Sequence, residues 1–101
     1  MNRKEIARRK EIARQLAENK LKEIMSGDKA RILKIFKNDE YEFPVQNGVE
    51  YQVRICASHD HEKKELIQVG VFVDDGEGLE HIEYDFIAVA ELKALNTKAG
   101  R

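Results

Sequence analysis

The sequence predicts an α+β fold: a long N-terminal helix and a short second helix packed on a roughly four-stranded antiparallel meander. Three observations predict it. Residues 3–25 contain neither Gly nor Pro and are rich in helix formers. Asn47-Gly48, the strongest short hairpin signal, joins two alternating apolar runs. A third apolar run, 66–73, and a fourth, 82–86, flank the turn Asp74-Asp75-Gly76-Glu77-Gly78. Consecutive strands usually neighbour each other, so a meander is the economical order.

Taken in order, the helix over 3–25 opens with an internal repeat, Arg-Lys-Glu-Ile-Ala-Arg at 3–8 and again at 9–14. Its six-residue period fits neither a helix nor a heptad, so it is incidental. At about 100° per residue, Ile6, Ala13, Ala17, Leu21 and Ile24 share a face, with Leu16 at its margin. The basic first turns oppose the helix dipole mildly, so that end should fray. Gly27 is a natural stop. Asp28 can cap a short helix over 29–37, in which Ile32, Ile35 and Phe36 follow helical spacing and Leu33 adds a contact.

In the sheet region, 41–87, Tyr41, Phe43 and Val45 alternate with polar residues, and Pro44 assigns that strand to an edge. Val49, Tyr51, Val53 and Ile55 form the next strand. Residues 58–65 read as a polar loop. The run 66–73 is apolar on both faces and reads as the most buried strand. Ile82, Tyr84 and Phe86 are expected to face the core, leaving His81, Glu83 and Asp85 in water. Residues 87–95 read either way, with Ala88, Glu91, Leu92 and Leu95 favouring a terminal helix. The tail 96–101 reads as loose.

A chain of 101 residues makes one domain, 1–101. Charged residues reach 37%, well above the usual quarter, which implies a heavily solvated surface and a small core. The single cysteine, Cys56, allows no intrachain disulfide. No apolar run approaches the ~20 residues of a membrane span. The basic N-terminus carries Glu5, Glu11, Glu18 and Glu23, which transit peptides avoid, so a cytoplasmic setting is expected. The net charge of -1 conceals a split. Residues 1–37 hold twelve Lys/Arg against five Asp/Glu, and residues 38–101 hold six against fourteen. Such a division implies either internal complementarity or a charged partner.

Candidate chemistry is sparse. Cys56, His59 and His61 have ligand types suited to a zinc-like ion, but a closed site wants four. His81 would lie at the far end of the central strand, roughly 25 Å away. A polar loop with a thiol packed at a strand end is the plainer reading. Cys56 with His59 is the one nucleophile–base pairing, without an oxyanion-forming turn. The 74–78 turn has its Gly at the wrong place for a calcium loop. No cofactor is expected. Arg3, Lys4, Arg8, Arg9, Lys10 and Arg14 could track phosphates, yet glutamates interrupt them and no aromatic interleaves for stacking. Asp74, Asp75, Glu77, Glu80, Glu83 and Asp85 form an acidic hairpin without Lys or Arg, suited to steering a basic protein partner.

The expectation is therefore a small non-enzymatic interaction module, with the surface chemistry of an antitoxin or immunity protein. Its partner would be an unidentified protein or a second copy. The alternatives are nucleic-acid binding through the basic helix, and a metal- or thiol-dependent enzyme.

Overall fold

The structure is a computed structural model that describes residues 1–93. Two helices, α1 (Arg3–Ser26) and α2 (Ala30–Lys37), precede six strands. The strands are β1 (Glu40–Glu42), β2 (Val45–Gln46), β3 (Val49–Glu50), β4 (Gln52–His59), β5 (Leu66–Asp74) and β6 (Glu80–Ala88). The main sheet is antiparallel in the order β1-β4-β5-β6, and β2-β3 is a separate small hairpin. Both helices lie on one face of the sheet, α1 over β5 and β6 and α2 against β4. Helix resumes at 89 and continues to 93, where the description stops. Leu92 in that segment is buried, as the helical spacing implied. Leu95 and the tail 96–101 lie outside the described residues.

α1 starts at Asn2, whose side chain accepts the Glu5 backbone N–H at 2.8 Å. This cap satisfies one orphan donor of the first turn, next to basic residues that disfavour it. Ala13, Ala17, Leu21 and Ile24 are buried as the periodicity predicts. Ile12 is buried as well, while Ile6 is only half-buried. The contact face is thus displaced toward Ile12 from the stripe read off the sequence. Gly27 ends the helix with negative φ, outside the left-handed region. A Cβ there would stand 2.9 Å from the Glu23 carbonyl oxygen, so crowding is what selects glycine. In α2, Ile32 and Ile35 are buried. Phe36 departs from expectation: it is 38% exposed and meets the His59 ring edge-on at 5.1 Å.

The single strand expected over 41–45 is two. β1 stops at Glu42, and β2 pairs with β3 around Asn47-Gly48, both at positive φ. Pro44 sits at the break, and its carbonyl accepts the Tyr51 N–H at 2.8 Å. Its lack of a donor therefore costs no ladder bond, and β1 is an edge strand as Pro44 implied.

The core lies between the helices and the inward rows of the two central strands. Tyr51, Val53, Ile55 and Ala57 line up with Ile67, Val69, Val71 and Val73. β6 reverses the expected orientation. Pairing sets Glu83 opposite Val71 and Asp85 opposite Val69, so His81, Glu83 and Asp85 point to the helix side. Ile82, Tyr84 and Phe86 point to the face without helices, where Tyr84 is 50% and Phe86 44% exposed. β1 is set in the same way as β6, with Glu40 and Glu42 on the helix side and Tyr41 on the open face. A period-two pattern marks two faces but does not say which is inside. At the β1 margin the helix layer offers cations and at the β6 margin an open groove, so carboxylates can face it.

Candidate functional site

The acidic hairpin is the feature with the most chemistry, and the structure divides it into two parts. At its tip, Asp75 is 5% exposed. Its Oδ1 accepts the backbone N–H groups of Glu77 (2.8 Å) and Leu79 (3.0 Å). Its Oδ2 accepts from Arg9 Nη1 at 3.1 Å. The same Arg9 nitrogen reaches Glu77 at 3.0 Å, and Arg9 Nε reaches Glu5 at 3.2 Å. Burial pushes the Asp75 carboxyl up, but the two amides and the guanidinium outweigh it, so its net shift is downward. Asp74 accepts the Gly76 N–H at 2.6 Å and closes the turn. Part of the charge split is therefore complementary within the molecule: the basic helix docks on the acidic tip.

Along the arm the situation differs. Glu80, Glu83 and Asp85 form no ion pair with Lys or Arg among the described residues. Glu83 meets His81 Nε2 at 2.7 Å, and Asp85 accepts the N–H of its neighbour Phe86 at 2.8 Å. Glu83 and Asp85 line an open groove of about 380 Å³ against α1, whose floor is Leu21 and Met25 and whose rim carries Glu18 and Lys22.

The other margin of the sheet is a useful contrast. There the helix-side acids have partners: Arg31 holds Glu40 at 3.0 Å, and Lys20 holds Glu42 at 2.9 Å. Glu23 ties into the same cluster through both cations, and they hold its carboxyl below the usual range.

The open face of the sheet is a surface that sequence reasoning missed. Phe72 and Tyr84 meet edge-on at 6.4 Å across Gly70. A Cβ at Gly70 would lie 3.0 Å from the Phe72 ring, 3.5 Å from Cys56 Sγ and 3.6 Å from the Tyr84 ring, so the glycine lets these groups close over the strand. Arg54 lies 5.3 Å above the Phe72 ring and bonds Asp39 at 2.9 Å. Tyr41, Ile82 and Phe86 extend the apolar surface. The signal was the apolar character of 66–73 on both faces. β5 is the most buried strand, as that run implies, but among the described residues helices cover one of its two apolar faces.

The remaining candidates are dispersed. Cys56 and His59 project from opposite faces of β4, Cys56 toward Gly70 on the open face and His59 toward Phe36 on the helix side. Burial pushes the Cys56 thiol up, the opposite of an activated nucleophile. His61 lies in the loop after β4, where Asp60 accepts the N–H groups of Glu62 and Lys63. No group of three or more metal-ligating side chains occurs among the described residues. On the basic helix, Arg8 pairs with Glu5, Arg9 with the hairpin tip, and Arg14 with Glu11 and Glu18. Arg3, Lys4 and Lys10 form no ion pair among the described residues. No described helix is long and apolar enough to cross a membrane. Compared with protein-family models, with curated proteins and with solved structures, the chain matches none of them.

Proposed function

We propose that this protein is a non-enzymatic interaction module that binds a basic protein partner through the β6 arm of its acidic hairpin. One observation carries the reading. Among the described residues, Glu80, Glu83 and Asp85 stand without a Lys or Arg partner, while the other sheet margin matches its acids to cations. Unmatched carboxylates on one face of an edge strand and exposed aromatic side chains on its other face combine electrostatic steering with area to bury. A neutralising protein of the antitoxin or immunity kind would use such a surface. The tip carboxylates Asp74, Asp75 and Glu77 hold the turn and Arg9, and so contribute to the fold.

The test is capture of a partner, purification of that partner, and titration of the recombined pair. Binding should weaken with salt and with the neutralising substitutions Glu80→Gln, Glu83→Gln and Asp85→Asn together. Unchanged affinity in that triple variant contradicts the proposal. Nucleic-acid binding through α1 is the competing function, favoured by Arg3, Lys4 and Lys10, which form no ion pair among the described residues. It predicts co-purifying material that absorbs at 260 nm, leaves with salt and depends on those three residues.

A further inference from the structure

The two edges of the main sheet are unequal. β1 is three residues long, while β6 runs nine residues, Glu80–Ala88, or about 30 Å. Long flat edges invite strand addition and are usually shortened or covered. The backbone bonds that bracket the β5–β6 ladder fix which groups are free. Asp75 N–H donates to the Leu79 carbonyl and Val89 N–H to the Glu65 carbonyl, at 3.2 and 2.8 Å. Both pairs are odd-numbered and belong to one register with Val73↔His81, Val71↔Glu83 and Val69↔Asp85. Hydrogen-bonded pairs alternate in an antiparallel ladder. The odd residues of β6 therefore bond to β5, and the N–H and C=O groups of Ile82, Tyr84 and Phe86 point out of the edge. The Phe86 N–H agrees with this: it is taken by the Asp85 side chain and not by β5.

Side chains along this edge alternate in chemistry. Glu83 and Asp85 point into the groove beside α1, and Ile82, Tyr84 and Phe86 lie on the open apolar face. We propose that the β6 edge accepts an added antiparallel strand in which basic and apolar residues alternate. Its cations would sit opposite Glu83 and Asp85, and its apolar side chains would lie beside Ile82, Tyr84 and Phe86. This rests on the interaction-module reading and specifies the partner's chemistry. A cation at Glu83 and Asp85 would do what Arg31 and Lys20 do for Glu40 and Glu42 at the other margin. The main-chain bonds supply affinity and the alternation supplies selectivity. The same carboxylates disfavour a second copy of this chain as the added strand in the register centred on Tyr84. β6 paired with itself about Tyr84 sets Glu83 against Asp85 of the other copy, a like-charge contact that works against self-pairing.

The test uses the full chain and a seven-residue amidated peptide that alternates lysine and valine. Two further forms carry N-methyl groups, one on the valines and one on the lysines. In the proposed antiparallel register the valines are opposite Ile82, Tyr84 and Phe86, so their amides donate to β6 and the lysine amides face away. Valine methylation should weaken binding by at least about tenfold, and lysine methylation by less than about threefold. The Glu83→Gln/Asp85→Asn variant should bind the unmethylated peptide about tenfold more weakly. Bound peptide should slow amide exchange at Ile82, Tyr84 and Phe86. Equal affinity of the two methylated peptides, or of a peptide with its lysines and valines in separate blocks, overturns strand addition. If binding then still depends on Glu83 and Asp85, the acidic-arm reading survives alone. Binding indifferent to both methylation and Glu83/Asp85 removes both.

Discussion

Burial of the Asp75 carboxylate beside Arg9 ties the N-terminal helix to the hairpin tip, and the cost of losing it can be set from its partners. Asp75→Ala leaves two backbone amides without an acceptor and removes the buried one of the three carboxylates that hold the Arg9 guanidinium. It should destabilise the fold by about 3 kcal/mol, read by denaturant unfolding. The pH dependence follows from the downward shift. The unfolded carboxyl titrates near its ordinary 3.8 and the folded one lower, so the stabilisation is complete above about pH 4 and is lost as pH falls through the folded value. Acid unfolding below pH 4 should therefore be steeper in the wild type than in Asp75→Ala. Tyr51 is the opposite case. Its hydroxyl is buried without a hydrogen-bond partner among the described residues. Tyr51→Phe should leave stability unchanged or raise it by up to about 1 kcal/mol. A loss of similar size on thermal unfolding would mean that the hydroxyl is bonded after all.

Among the elements, α1 owes its start to Asn2, and Asn2→Ala should cost about 1 kcal/mol and lower helical ellipticity. How far each element was legible depended on where it lies. α1, the Asn47-Gly48 turn and β5 were readable because local propensity, turn chemistry and apolar runs all pointed the same way. β1 and β6 were readable as strands but not in orientation. Their apolar residues pack on an uncovered face, and their acids turn to helix cations or to a groove. That choice depends on Lys20 and Arg31, which belong to other elements. The Arg9–Asp75 contact spans 66 positions, and no local pattern announces it. For the candidate site, the acidic residues were legible from composition. Which are structural and which are available was not, because it depends on that long-range ion pair. The break at Pro44 was foreshadowed only as an edge signal, since the carbonyl that receives Tyr51 leaves no trace in the sequence.

For the molecule as a whole, the charge split serves two ends. Basic α1 and the acidic tip neutralise each other across the tertiary contact, and Arg31 and Lys20 neutralise β1. What remains is a one-sided distribution: carboxylates along β6 and an apolar sheet face beside them. The hairpin acids divide into a tip that holds the fold and, in the proposed function, an arm available to a partner. Side-by-side thermal unfolding of two variants separates these roles. Asp75→Ala should lower the midpoint by more than about 10 °C, while Glu80→Gln/Glu83→Gln/Asp85→Asn should leave it within about 3 °C of the wild type. A triple variant as destabilised as Asp75→Ala would show that the arm carboxylates are structural too and leave no carboxylate of the hairpin free for a partner.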